Sequence, residues 1–331
     1  MYKVAIFSSK KYDQQFLDQF NQNNALALHY FESRLTYQTA ELAQGYDAIC
    51  VFVNDVIDQQ VLKQLDRFGV RVIALRCAGF NNLDLKAAKS LDIKICRVPE
   101  YSPEAVAEHT IGLLLTLSRK FHKAYLRVRE NNFALDGLMG FNLHGKTVGV
   151  IGCGKIGQAT IKILLGFGCT VICHDPAPSA EAKALEIEFV DQDDIFSRAD
   201  IITLHCPLTP NTRHIINRSS IAQMKSGVVI INTSRGGLID SEAIIKGLKT
   251  RHIGFLGMDV YELESELFFE DLSADIIQDD VFTRLLTFPN VLITGHQGFF
   301  TEEALITIAR TTLDNIQLLL DGQPCDNELV Y

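Results

Sequence analysis

Apolar runs short enough to be β-strands recur along the whole chain, separated by polar stretches with helical spacing. In the first hundred residues they are KVAIF, DAICVFV, VRVIALRC and IKICRV, a βα rhythm that predicts a parallel sheet of its own. Six more follow in the second half: TVGVI before Gly152, TVICH before Asp175, DIITLH before Cys206, GVVIIN before Thr233 to Arg235, GFLGM before Asp259, and VLITG before His296. Each of the six runs out into a residue able to do chemistry or hold a nucleotide. In an open parallel sheet, ligands bind beyond the carboxyl ends of the strands, so the six ends predict one site.

Helical segments set the domain organisation. Ser102 reads as an N-cap and Pro103 as the first residue of a helix running to about Arg127. Its centre, Ile111 to Leu117, is apolar on nearly every face, which predicts burial between two domains. From Glu302 to Leu320, the residues Leu305, Ala309, Leu313, Ile316 and Leu320 recur at helical spacing. A chain that leaves one domain near 101 and returns near 298 gives a discontinuous first domain, 1–100 with 299–331, and an inserted second domain, 101–298. Two connections at one hinge would permit closure over a ligand.

Composition narrows the function classes. With 331 residues, 47% hydrophobic and 21% charged, the chain suits two globular domains. A net charge of −9 argues against capture of nucleic acid or an anionic membrane, so an anionic substrate must meet specific cations. No apolar run reaches the roughly 18 residues of a membrane span, and MYKVAIFSSK lacks the features of a secretory signal. The expected location is the cytoplasm. The eight cysteines form no CxxC or zinc-like cluster, so they are read as reduced packing residues and no metal is expected.

The most specific motif is Gly152-Cys153-Gly154-Lys155-Ile156-Gly157, which follows a strand and opens the helix QATIKILLGFG. Its glycines allow a tight turn, close approach of backbone to pyrophosphate and close helix–sheet packing, while the helix N-terminus attracts the anion. Asp175 ends the next strand 18 residues after Gly157, near the spacing expected of the acid that binds ribose hydroxyls. A carboxylate there would repel a 2′-phosphate and favours NAD over NADP. The competing reading is a solvated turn Asp before Pro176.

Three charged residues complete the reading. Arg235, in INTSRGG, presents a planar fork suited to a carboxylate, uncrowded by the glycines after it. His296, in ITGHQG, follows the last strand and suits proton transfer near neutral pH. His174 and His205, at other strand ends, read as packing near the nucleotide. A carboxylate bonded to the His296 imidazole would fix its tautomer and favour its protonated form. Glu264 is a candidate, with Glu262, Glu266 and Asp259 nearly as good by spacing alone.

These residues lie within RCAGFNNLDL (76–85), VPEYSPEAVAEHTIGLLL (98–115), GKTVGVIGCGKIG (145–157), LHCPLTP (204–210), NTSRGGLID (232–240), GMDVYELE (257–264), LFFED (267–271) and TGHQGF (294–299). In that order the motifs resemble the D-isomer specific 2-hydroxyacid dehydrogenases across essentially the whole chain, and LFFED and RCAGFNNLDL resemble its NAD-dependent lactate branch in particular. The resemblance implies an α/β fold of two doubly wound parallel-sheet domains, a Rossmann NAD-binding domain inserted into a flavodoxin-like substrate domain. It implies reversible reduction of pyruvate to D-lactate with NADH. Arg235 would anchor the substrate carboxylate and carbonyl, His296 would donate the proton, and Glu264 would orient it. Backbone N–H groups around Ala78 and Gly79 would add to carboxylate binding, and Tyr101 and Phe299 would line the pocket.

Cofactor contacts are implied at Gly152, Gly154, Lys155, Ile156, Gly157, Asp175, Cys206, Pro207, Thr212, Thr233, Ser234, Arg235 and Asp259. A homodimer or homotetramer is implied, joined through the helix near 103–127. Two other readings remain open at this point: a dehydrogenase for a bulkier 2-keto acid, or an NAD(H)-sensing, corepressor-like interaction protein.

Overall fold

The structure, a computed structural model, describes residues 1–21 and 25–329, leaving the Glu266 side chain aside. The chain divides into two compact units, residues 1–102 with 299–331, and residues 103–298. The breaks fall at Ser102/Pro103 and Gly298/Phe299, so the first lies two residues beyond the expected 100/101, at the start of the helix that Pro103 opens.

The first unit holds a five-stranded parallel sheet of β1 (Tyr2–Ile6), β2 (Leu26–Tyr30), β3 (Ala48–Val51), β4 (Val72–Leu75) and β5 (Lys94–Arg97), in the order β2-β1-β3-β4-β5. Four strands were expected. The fifth, β2, is an edge strand with one of its five residues buried, and LALHY carries too little continuous apolar sequence to announce itself. By contrast, every residue of β3 and β4 is buried, as expected of strands covered on both faces. The helix Glu302–Leu320, capped by Thr301, buries Ala309, Leu313, Ile316 and Leu320 with Val4, Ile6, Val72 and Cys96 in one core.

The second unit holds a seven-stranded parallel sheet: β6 (Thr147–Ile151), β7 (Thr170–His174), β8 (Glu188–Phe189), β9 (Ile201–Leu204), β10 (Val228–Asn232), β11 (Ile253–Met258) and β12 (Val291–Ile293). Their order is β12-β11-β10-β9-β6-β7-β8, which reverses direction between β6 and β9 and creates a switch point there. The six expected strands are all present. The seventh, β8, is a two-residue edge strand pairing only with β7, too short to leave a periodic signal.

The first helix of this unit corrects two expectations. It spans Pro103–Arg119 and stops short of Arg127, because Lys120 takes a left-handed conformation (φ 55) and a second helix, Phe121–Arg129, begins. Its apolar centre is buried within the unit's own core, where Ile111, Leu113, Leu114 and Leu117 join Val148, Val150, Val229 and Ile231. Sheet burial within one unit therefore accounts for the apolar run that suggested a helix between domains. Among the described residues no helix is long and apolar enough to cross a membrane.

Candidate active site

The glycine turn is built as its sequence demands. Gly152 has φ +98, and a Cβ there would stand 2.5 Å from the Cys206 backbone nitrogen. A Cβ on Gly157 would stand 2.2 Å from the Gly152 carbonyl oxygen, so the helix Lys155–Gly166 sits directly against the turn. Gly154, the cap residue, has open space where its Cβ would be and brings no side chain to the first-turn N–H groups. Bare backbone at a helix N-terminus suits a pyrophosphate. Asp175 closes the arrangement: its Oδ2 accepts the Cys153 N–H at 2.7 Å and its Oδ1 the Ala177 N–H at 2.9 Å.

The remaining expected cofactor residues divide into two sets. Lys155 and Pro207 are exposed and Ile156 is half-buried. The others are engaged by the chain. Thr212 Oγ1 donates to the Pro207 carbonyl at 2.6 Å, and Ser234 Oγ to the Cys206 carbonyl at 2.8 Å. Thr233 Oγ1 lies 2.8 Å from Thr110 Oγ1. Burial pushes the Cys206 thiol up to about 11, which keeps it neutral and leaves it a shape-filling group.

Asp259 is 2% exposed and wholly occupied by its own chain. Its Oδ1 accepts from Thr294 Oγ1 (2.5 Å), the Gln297 N–H (2.9 Å) and His109 Nε2 (3.2 Å), and its Oδ2 from the Gly298 N–H (2.8 Å). Burial pulls its pKa upward, but the bonds from His109, Thr294 and Gln297 outweigh it and hold the carboxyl below the usual range.

His296 stands at the end of β12 in a left-handed conformation (φ 53), its N–H donating to the Asp259 carbonyl at 2.7 Å. Its Nδ1 lies 2.9 Å from Glu264 Oε1, while Glu264 Oε2 accepts the Tyr261 N–H at 2.9 Å. The geometry thus separates acids that spacing left equal. Glu262 is tied to Arg213 at 2.6 Å and to His214, Asp259 is buried, and the Glu266 side chain lies outside the described residues. Arg235 follows β10, half-buried, with Nη1 donating to the Ser234 carbonyl at 2.6 Å. A Cβ on the next residue, Gly236, would stand 2.0 Å from the Tyr261 carbonyl carbon, so the Arg235 loop lies flush against the segment that carries Glu264.

In the first unit, the Ala78 and Gly79 N–H groups have no partner among the described residues, while the loop's carbonyls are held: Ala78 O by Arg97 Nη1 at 2.7 Å and Gly79 O by Cys77 Sγ at 3.2 Å. Phe299 packs on Tyr101 (6.4 Å) and Phe52 (5.8 Å). Behind Phe52 lies Arg76, 1% exposed, bonded to Asp13 at 3.0 Å and to the carbonyls of Phe7 and Ser8. Phe52, Arg76, His109 and Thr110 escaped the sequence reading. For His109 and Thr110 the signal was faint, since polar residues also stand at Glu104, Glu108, Thr116, Ser118 and Arg119 of the same helix.

A doubly wound parallel sheet with a glycine turn, a helix N-terminus and a strand-end acid at its switch point is the arrangement of a dinucleotide-binding domain, and the His–Glu pair adds a group able to move a proton. The chain belongs to the D-isomer specific 2-hydroxyacid dehydrogenase family: residues 111–298 match that family's NAD binding domain. Over 328 residues it is 55% identical to a D-lactate dehydrogenase of Escherichia coli strain K12, covering 99% of this chain and 100% of the relative. The solved apo structure of the Escherichia coli D-lactate dehydrogenase superposes with a TM-score of 0.90 at 52% identity, covering 99% of this chain and 100% of that one. A structure described as identifying the pyruvate reductase of Chlamydomonas reinhardtii gives 0.92 at 44% identity, with 99% and 98% covered.

Proposed function

We propose that the protein reduces pyruvate to D-lactate with NADH, reversibly, and that Arg235, Glu264 and His296 carry the chemistry. The observation that carries this reading is the His296–Glu264 bond at the end of a Rossmann sheet, in a chain whose relatives include D-lactate dehydrogenases and a pyruvate reductase. NADH, when bound, supplies the electrons and hydrogen that reduce the keto carbon. Backbone at Gly152, Gly154, Lys155, Ile156 and Gly157 would hold its pyrophosphate, Asp175 a ribose, and Cys206, Pro207, Thr212, Thr233, Ser234 and Asp259 the remaining edges of its site.

Within the chain the roles follow from chemistry. Glu264 accepts the Nδ1–H of His296, which leaves Nε2, without a partner among the described residues, as the nitrogen that gives or takes the substrate proton. Arg235 offers its fork to the substrate carboxylate and its charge to the carbonyl oxygen as negative charge builds there. The N–H groups of Ala78 and Gly79, without a partner among the described residues, would bind a substrate carboxylate, and Tyr101 and Phe299 would line a pocket for a small side chain.

The test is a panel of 2-keto acids with NADH, reading kcat/KM and the hand of the product. Pyruvate should lead and give D-lactate; L-lactate, or a higher kcat/KM for a bulky 2-keto acid, would overturn the proposal.

We further propose a cytoplasmic homodimer or homotetramer. Eight cysteines outside any disulfide fit a reducing compartment. For assembly, the helix Phe121–Arg129 has no buried residue, and Tyr125, Leu126, Phe133, Leu135 and Met139 are all exposed, the last by 88%. An apolar surface of that extent calls for a partner, and a second copy is the one proposed. Analytical ultracentrifugation should give a dimer or larger for the parent and a monomer for Leu126→Glu.

A further inference from the structure

Three strand ends carry the proposed chemistry, and one turn of the helix Pro103–Arg119 reaches all three. Thr110 Oγ1 lies 2.8 Å from Thr233 Oγ1 at the end of β10. His109 Nε2 lies 3.2 Å from Asp259 Oδ1 beyond β11, and 3.0 Å from Thr294 Oγ1 beyond β12.

Proton counting fixes the direction of these bonds. Asp259, held ionised, only accepts. The single hydroxyl proton of Thr294 goes to Asp259 Oδ1, 2.5 Å away. Both oxygens facing His109 are therefore acceptors, and His109 must carry a proton on Nε2. Asp259 in turn grips the backbone around the proposed acid: its carboxylate takes the N–H groups of Gln297 and Gly298, and its carbonyl takes that of His296. His296 is left-handed, a conformation costly for a non-glycine residue, which persists only when the surroundings enforce it.

We propose that His109 is a positioning residue for the proton donor: its Nε2–H locks the Asp259–Thr294 clamp, and the clamp sets the His296 ring against Glu264. Without that donor, Oδ1 of Asp259 loses one of its three partners and Thr294 is free to turn, so the loop loosens on the side that orients the imidazole. The inference rests on the proposed reduction, in which His296 moves the proton.

Two full-length variants separate orientation from bulk. His109→Gln can bring an amide N–H to the place of Nε2, whereas His109→Leu fills similar volume with no donor. With pyruvate and NADH, His109→Leu should lose at least about tenfold in kcat, with KM for pyruvate and Kd for NADH within about threefold; His109→Gln should keep kcat within about threefold of the parent. Nitrogen-15 histidine spectra of the protein without added cofactor, assigned by His296→Gln, should show His296 protonated on Nδ1 in the parent and in His109→Gln, and should lose that pattern in His109→Leu.

Parent-like kcat in His109→Leu, or equal losses in the two variants, would overturn the proposal. Should His109→Leu fail to fold, Thr294→Ser and Thr294→Val put the same question to the other end of the clamp, and only the valine should impair turnover. A parent that turns over no 2-keto acid overturns the proposed reaction alone, and the His296 spectra then still decide the role of His109.

Discussion

His296 Nδ1 lies 2.9 Å from one oxygen of Glu264, and the other oxygen of that carboxylate accepts the Tyr261 backbone N–H at 2.9 Å. Both oxygens are therefore needed as acceptors. Glu264→Gln supplies one acceptor and one NH2 group, so a donor must face either the Tyr261 N–H or the imidazole Nδ1–H. We expect kcat to fall at least about tenfold, and toward about 10²-fold if the imidazole changes tautomer, while NADH affinity is retained. Stopped-flow turnover and NADH fluorescence titration read the two quantities; an undiminished kcat would remove Glu264 from the proton path.

Arg235 is fixed at its backbone, its carbonyl accepting from Asn232 Nδ2 at 2.9 Å, while its guanidinium makes a single bond among the described residues, to the Ser234 carbonyl. The rest of the fork is available to a substrate. Arg235→Lys keeps the charge and loses the planar bidentate geometry, so KM for pyruvate should rise at least about tenfold with KM for NADH little changed. A steady-state KM for pyruvate equal to the parent's would contradict the anchor role.

How much of this was legible in sequence depends on the range of the interaction. The strand before Arg235 was readable because a fully buried parallel strand is an unbroken apolar run, VVIIN in β10, and the largely buried strands before Gly152 and Asp175 read likewise, while β12 before His296 is half-buried and was read from its apolar residues alone. Edge strands β2 and β8 were not, being half-exposed or two residues long. The break at Lys120 left no trace, since neither Gly nor Pro marks it and a lysine at φ 55 is not foreseeable from residue type. Spacing could not choose Glu264, because the choice is made by Tyr261 N–H and by the partners that occupy Glu262 and Asp259. His109 was least legible of all: its bond to Thr294 joins residues 185 positions apart.

Asp175 holds the glycine turn in this structure and is proposed to select the cofactor, and a substitution separates the two roles. Its carboxylate holds the Cys153 and Ala177 N–H groups, and it would also exclude a 2′-phosphate by charge. Asp175→Ala should therefore weaken NADH, through a looser glycine turn and lost ribose bonds, and weaken NADPH less. The ratio of kcat/KM for NADH to that for NADPH should fall at least about tenfold, the scale of one lost charge-assisted hydrogen bond or more. An unchanged ratio would mean that discrimination lies elsewhere.

His205, at the end of β9, gives a pH signature that carboxylates cannot imitate. Burial pushes its pKa down to about 4, and its Nε2 lies 2.9 Å from Thr203 Oγ1. In the unfolded chain a histidine titrates near 6.5. Between about pH 6.5 and 4 the unfolded state therefore binds a proton that the folded state refuses, and stability, fully present above that window, is lost as pH falls through it. Below about 4 both states are protonated and His205 adds no further loss. Buried or half-buried carboxyls held below their usual range, Asp259 and Asp200 among them, act lower: their contribution is present above the unfolded value, near 3.9, and disappears as pH falls through the folded one. His205→Gln, neutral throughout and still able to bond Thr203, should flatten the fall of Tm between pH 6.5 and 4 and leave the steeper loss below it. Scanning calorimetry of both proteins across that range decides the matter, since parallel Tm curves would show that His205 titrates normally in the folded chain.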